Sequence, residues 1–342
     1  MTVRVGVIGT GMMGQDHIRR ISRVLAGGAV TAVSDADADR AARVAAGLPG
    51  ARVHPAGQEL ITDSEVDAVV VTSWGPAHEE YVLAAIAAGK PVFCEKPLAT
   101  TAEACQRIIK AEQGAGRRMV QVGFMRRYDA ACRALRAAVA AGEIGTPLLM
   151  HCAHRNAAVP PYGFTTEMMI SDSAVHEIDL VRWLFGEEIA AVTILRPRRS
   201  SKGAAGLHDP LVVILETAGG ILVDVELFVN ATYGYDIRGE VVGEHGTVAL
   251  AGGGPAVLRH DGRRSDAVPA DWRERFGAAF DAELQDWLTA VAAGSCTGPG
   301  SWDGLAATVI AQAGHEALRT GRRTPVTLPG RPGLYSAAGG PS

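Results

Sequence analysis

Apolar residues recur along this chain with two different periods, and the change between them divides it. In the first third, short β-branched runs alternate with Ala- and Arg-rich stretches of helical period. The run that opens at Val3 and closes on Gly9, and residues 30–35, 66–71, 91–94 and 119–123, read as strands; 37–46, 81–88 and 102–112 read as helices. Thr72-Ser-Trp-Gly-Pro76 is a loop signal, and Gly89 ends a helix. Strand and helix in alternation imply a parallel, doubly wound α/β sheet, because parallel strands need a crossover helix between them.

Beyond residue 123 the strand-like runs lengthen. Residues 148–155, 189–195, 211–216, 221–229 and 239–250 read as strands, 130–141 and 173–184 as helices, and Ala218-Gly-Gly220 as a hairpin turn. An α+β domain with a large open, mainly antiparallel sheet is expected, one face of it left to a helix or another subunit. Two amphipathic helices, 273–293 and 305–320, precede a Gly/Pro/Ser-rich stretch. The expected division is 1–123, 124–328 and a mobile tail at 329–342.

The first strand ends in Gly9-Thr-Gly-Met-Met-Gly14, at G-x-G-x-x-G spacing. Gly9 permits a tight turn, Gly11 lets backbone approach a pyrophosphate, and Gly14 lets the next helix pack against the strand, whose N-terminus then faces the phosphates. The motif is weak alone in a chain with 41 glycines, but Val30-Thr-Ala-Val-Ser-Asp35 places an acid about 20 residues on, where a carboxylate can accept ribose hydroxyls. The spacing thus predicts a Rossmann-type dinucleotide site built from Gly9, Thr10, Gly11, Met12, Met13, Gly14 and Asp35. Asp35 would repel a 2′-phosphate, Ala36-Asp-Ala-Asp39 adds acid, and Arg40, the nearest cation, falls inside the expected helix; NAD is therefore expected over NADP.

Composition removes other classes. A formal charge of −4 offers no attraction to nucleic acid or an anionic membrane, and no apolar run reaches the ~18 residues of a membrane span. Five scattered cysteines without a C-x-x-C pair suggest neither disulfides nor zinc, so a reducing cytoplasm is expected, and no metal.

Ligands of open parallel sheets bind outside the carboxyl ends of the strands. Glu95-Lys96-Pro97 stands there, with proline biasing Lys96 to an extended backbone, and the loop at Ser73-Trp74 shares that edge. In Ile170-Ser-Asp-Ser-Ala-Val-His-Glu-Ile-Asp179, Asp172, His176 and Asp179 fall at i, i+4 and i+7. On a helix they share one face, a polar stripe expected to line a wet pocket beside an apolar one. A carboxylate one turn from a histidine is an arrangement that positions a general base, although an N-cap and a structural histidine would leave the same pattern.

With these motifs in view, the chain resembles the glucose-fructose oxidoreductase, inositol dehydrogenase and MocA family from Gly9 to about Thr320. The resemblance rests on Glu95-Lys96-Pro97, the loop from Thr72 to His78, and Asp172 with His176; residues 121–129 and 175–179 resemble its inositol-oxidising branch. It implies Lys96, Asp172 and His176 as the catalytic set; Ser73, Trp74, His78, Glu95 and Lys96 as further cofactor contacts; and Arg127, His154, Asn156, Asp179 and Tyr235 as substrate contacts beside the catalytic three. The implied activity is NAD-dependent oxidation of a secondary ring hydroxyl of a cyclic polyol, myo-inositol foremost, by a homotetramer. Another inositol isomer or an aldose would suit the same residues; an NAD-binding sensor without catalysis is the alternative of a different class.

Overall fold

In the computed structural model, residues 2–159, 163–204, 206–250 and 257–336 are described. The first β-branched runs become β1 (Val3–Ile8), β2 (Gly28–Ser34), β4 (Ala68–Val71), β5 (Val92–Cys94) and β6 (Val120–Val122), with β3 (Arg52–His54) at one edge. All pair in parallel, in the order β3-β2-β1-β4-β5-β6. Every residue of β4, β5 and β6 is buried, as expected for strands covered on both faces. Only β3, largely exposed and with Val53 as its single apolar residue, carries no apolar run to announce it.

The intervening helices are α1 (Met12–Arg23), α2 (Ala38–Ala45), α3 (Gly57–Thr62), α4 (His78–Ala87) and α5 (Ala102–Ala115). α1 buries Gly14, His17, Ile18 and Ile21, a stripe at helical spacing. Asp37 and Thr101 cap α2 and α5 by accepting the N–H of Arg40 and Ala104.

After α6 (Ala130–Ala140), β7 (Pro147–Arg155) and α7 (Val175–Phe185) come β8 (Ile189–Leu195), β9 (Leu211–Thr217), β10 (Leu222–Phe228), β11 (Asp236–Gly243) and β12 (Thr247–Ala249). The run expected as one strand at 239–250 is thus two, because Gly243 to Gly246 turn the chain, the Gly243 N–H donating to the Gly246 carbonyl at 2.9 Å. A two-stranded hairpin, β13 (Val257–His260) and β14 (Arg263–Asp266), follows, then α8 (Trp272–Ala292), α9 (Ser301–Thr320) and β15 (Thr324–Pro325). The large sheet runs β12-β11-β7-β10-β9-β8-β15, antiparallel except for β10 on β7. Along β9 and β10 buried residues alternate with half-buried or exposed ones, so one face carries Val213, Leu215, Val223 and Val225 into the core while Val212, Ile214, Leu222 and Phe228 stand on the other.

The chain forms two compact units, 1–124 with 280–308 and 328–342, and 125–279 with 309–327. Helices α8 and α9 therefore each contribute to both. In the first unit Leu284, Trp287 and Leu288 of α8 join the core of β1, β2 and α1, with Trp287 edge-on to Phe93 at 5.9 Å. Among the described residues no helix is long and apolar enough to cross a membrane.

Of the stretch expected to be a mobile tail, 337–342 lie outside the described residues, whereas Tyr335 is docked. Its hydroxyl donates at 2.6 Å to the buried carboxylate of Glu112, which also accepts from Ser301 Oγ at 2.5 Å and from the N–H groups of Met119 and Val120. Removing one donor from a buried carboxylate costs about 1.5–3 kcal/mol. Tyr335→Phe is expected to lower the unfolding free energy by roughly that amount in urea titrations; a change under about 0.5 kcal/mol would show the bond to be idle.

Candidate active site

The glycine turn of the first unit is built around close approach. A Cβ on Gly14 would lie 1.9 Å from the Gly9 carbonyl oxygen, and one on Gly9, whose φ is +95°, 2.5 Å from Ser73 N. Gly11 is different: its φ is −69°, and an added Cβ would meet nothing within 4 Å. The space in front of Gly11 is open, no side chain caps α1, and its first N–H groups face that space; this fits the pyrophosphate of a dinucleotide.

Asp35, at the end of β2, accepts from Thr10 N at 2.5 Å, Thr10 Oγ1 at 2.9 Å and Asp37 N at 2.9 Å. Arg40 lies in α2, as expected, yet its guanidinium reaches back onto the same carboxylate, Nη2 to Oδ1 at 2.5 Å and Nε to Oδ2 at 3.2 Å. A helical position therefore does not remove Arg40 from Asp35, as sequence reasoning supposed. Burial pushes the Asp35 carboxyl up, but the bonds from Arg40, Asp37 and Thr10 outweigh it and hold it down at about 2.

At the carboxyl ends of β4 and β5, Ser73 keeps a buried Oγ without a hydrogen-bond partner, free to meet a ligand. Met12 and Trp74, 55% and 65% exposed, are large apolar side chains of the kind a bound dinucleotide would cover. His78, counted with them in the sequence, is buried, its ring nitrogens on the carbonyls of Pro97 at 2.7 Å and Ser73 at 2.9 Å; burial lowers its pKa despite both carbonyls. His78 thus packs between the Ser73 and Lys96-Pro97 segments, the latter a cis peptide, and its neutral ring, with a single N–H, donates to one of the two carbonyls. Glu95 likewise turns inward, onto His17 Nε2 at 2.7 Å and the Lys96 N–H at 3.1 Å.

In the second unit α7 begins at Val175, and Asp172 precedes it in a π-helical turn, Met169–Ala174. The single α-helical face expected for Asp172, His176 and Asp179 is therefore broken at Asp172; such wide turns re-aim side chains and are frequent at functional sites. The polar stripe is also more enclosed than expected, with His176 and Asp179 buried. Residues 173–182 are all buried while Asp172 is half-buried, and Glu177 and Asp179 meet protein cations. Asp179 takes both Nε and Nη2 of Arg127, at 2.8 and 2.5 Å, so these two expected substrate contacts are paired with each other.

Glu177 and Arg126 were not singled out in the sequence. The Glu177 carboxylate binds Arg126 Nη1 and lies 3.0 and 3.1 Å from His154 Nδ1, all three side chains being almost inaccessible. Burial opposes its charge, but Arg126 and His154 hold the carboxyl well below the usual carboxylate range. The signal existed: Arg126 and Glu177 each sit next to a residue that was chosen, and one step along a helix decides which partner is met. His154 packs with its ring centroid 6.3 Å from that of His176 and edge-on to Tyr235 at 6.1 Å. Burial pushes the Tyr235 phenol up to about 12. Asn156 holds a buried Oδ1 without a partner, a second acceptor ready for a ligand hydroxyl. No group of three or more His, Cys, Asp or Glu able to hold a metal occurs among the described residues.

The glycines give a paired test. Gly14→Ala drives a Cβ into backbone and is expected to unfold the protein or lower its melting temperature by many degrees. Gly11→Ala is unstrained and should keep the melting temperature within a degree or two, yet weaken NADH binding at least tenfold by filling the pyrophosphate space. Equal NADH affinity in Gly11→Ala and wild type, read by fluorescence titration, would disprove this placement.

Comparison with known proteins identifies the family. Residues 3–124 match the model of the oxidoreductase family's NAD-binding Rossmann fold, and 136–328 that of its C-terminal alpha/beta domain. The chain is 56% identical to inositol 2-dehydrogenase 3 of Saccharopolyspora erythraea over 335 residues, 98% of each chain. It is 54% identical to inositol 2-dehydrogenase of Pseudomonas fluorescens over 337 residues, 98% of this chain and all of that one. The crystal structure of myo-inositol dehydrogenase from Lactobacillus casei, in complex with NAD(H) and myo-inositol, superposes with a TM-score of 0.94 at 40% identity, covering 98% of this chain and all of the other. With an all-parallel glycine-turn sheet, a mainly antiparallel second sheet and both family models matched in sequence, the chain belongs to the Gfo/Idh/MocA family of NAD-dependent oxidoreductases.

Proposed function

We propose that this enzyme oxidises a secondary ring hydroxyl of a cyclic polyol, myo-inositol to 2-keto-myo-inositol, with NAD. The observation that carries the reading is 56% identity over 98% of the chain to an inositol 2-dehydrogenase, with Lys96, Asp172 and His176 all present. NAD, when bound, supplies the hydride acceptor, on the Gly9–Gly14 turn and Asp35. His176 accepts the hydroxyl proton on an imidazole nitrogen, Asp172 orients that ring and stabilises it when charged, and Lys96 hydrogen-bonds the same substrate oxygen as negative charge develops. His154, Asn156 and Tyr235 meet other ring hydroxyls. Arg127 and Asp179 meet them through a preformed ion pair, which fixes two polar edges in place before substrate arrives.

NAD reduction measured across myo-inositol, other inositol isomers and glucose is expected to give the highest kcat/KM with myo-inositol; preference for an aldose would redirect the reading within the family. No turnover with any polyol would favour a sensor. His176→Ala should lower kcat by ~10²–10⁴-fold with NADH affinity little changed, and Lys96→Ala at least as much. The wild-type rate should rise with pH as a histidine base, ordinarily near 6.5, deprotonates, and His176→Ala should lose that limb. Near-normal kcat with an unchanged pH profile in His176→Ala would move the base elsewhere.

We also propose a homotetramer assembled on the open face of the large sheet, where Val212, Ile214 and Phe228 are only half-buried among the described residues and Leu195 and Leu222 are 51% and 47% exposed. Light scattering at micromolar concentration should give four times the chain mass, and Ile214→Lys should reduce it; a wild-type monomer would sink the proposal. A reducing cytoplasm suits the cysteines, since burial pushes the thiols of Cys105 and Cys132 up to about 11 and 12 and leaves them inert.

A further inference from the structure

We infer that Arg40 is a second specificity determinant of the cofactor site, one that opens it to a 2′-phosphorylated dinucleotide as a minor cofactor beside NAD. An acid at the end of the second strand excludes NADP because a ribose 2′-phosphate would meet like charge. Here that charge is covered. Arg40 lies across both oxygens of Asp35, Nη2 at 2.5 Å and Nε at 3.2 Å, with Nη1 3.3 Å from Asp37. Its side chain is 37% exposed and that of Asp35 only 4%, so an anion arriving from solvent meets the guanidinium first.

The geometry also lets the guanidinium move without undoing the acid. Asp35 keeps three donors of its own, Thr10 N, Thr10 Oγ1 and Asp37 N, whichever way Arg40 turns. Arg40 further lines a groove of about 450 Å³ beside α1 and α2 whose walls also carry Arg23, Arg43 and Arg19, the last paired with Asp16 at 3.2 Å. Arg40 is thus shared between this groove and the Asp35 carboxylate, and Gln15, on the same wall, donates to the Thr10 carbonyl at 2.8 Å. A planar guanidinium in a cationic setting is the group that receives a phosphate monoester. Asp37, paired with Arg40, and Asp39 are exposed and keep acid near the guanidinium, so NAD remains preferred and the preference is narrowed rather than reversed. For NAD the same arginine is an obstacle, because the ribose hydroxyls must displace it to reach Asp35.

The inference rests on NAD binding but not on the polyol, and its test contains no polyol: NADH and NADPH are titrated by fluorescence into wild type, Arg40→Gln and Arg40→Lys. Wild type is expected to bind NADH more tightly while binding NADPH measurably. Arg40→Gln should lose on the order of tenfold in NADPH affinity, the scale of one charge-assisted hydrogen bond, with NADH affinity unchanged or improved. Arg40→Lys should keep much of the NADPH affinity, and added salt should weaken NADPH more than NADH in wild type but not in Arg40→Gln. A wild type blind to NADPH, or an Arg40→Gln protein in which both affinities fall together or neither changes, overturns the proposal. Cofactor binding as expected, with no polyol oxidised, would leave this inference standing and remove only the substrate reading.

Discussion

The fold of the first unit depends on one steric constraint, the contact of α1 with the turn that precedes it. Gly14 lies so near the Gly9 carbonyl that no side chain fits between them, and Thr72 Oγ1 donates to that carbonyl at 2.7 Å from the next strand along. This packing aims the start of α1 at the open space before Gly11 and brings Thr10 onto Asp35. The open space at Gly11 and the carboxylate of Asp35 are thus fixed relative to each other by the same turn.

The second unit uses buried charge to the same end. Adjacent arginines part company: Arg126 goes to Glu177 and Arg127 to Asp179, two acids two residues apart on α7. Such pairs add little net stability against an apolar core, but removing one partner strands a charge and typically costs about 3–5 kcal/mol. What they supply is definition. With Glu177 fixed by Arg126, His154 Nδ1 has a set partner, and the ring stands edge-on to Tyr235 and tilted against His176. Polar residues that would wander in a wet pocket are held at chosen orientations before any ligand binds.

Charge also explains the difference between Asp35 and Glu177. Asp35 is shielded and strongly hydrogen-bonded yet shares its oxygens with a half-exposed arginine, whereas Glu177 is sealed beside an arginine with no access to solvent. The first arrangement can open to a ligand at small cost; the second cannot, because desolvation makes any break expensive.

The sequence by itself determined the two-part architecture, the glycine turn, Asp35 and the catalytic candidates, because period-2 and period-3.6 burial and glycine spacing are local properties. Its strand at 189–195 coincides with β8, and its helix at 130–141 differs from α6 by one residue. It gave no sign of β3, whose exposed residues have no burial pattern, and could not divide 239–250 where glycines turn the chain. Tertiary structure decided the partners: that Arg40 folds back on Asp35, that His78 packs between two backbone segments, that Arg127 and Asp179 meet each other, that Glu177 rather than solvent faces His154, and that Tyr335 closes on Glu112. Periodicity tells which face of an element is buried, but which charge lies across from it depends on chain segments tens to hundreds of residues away.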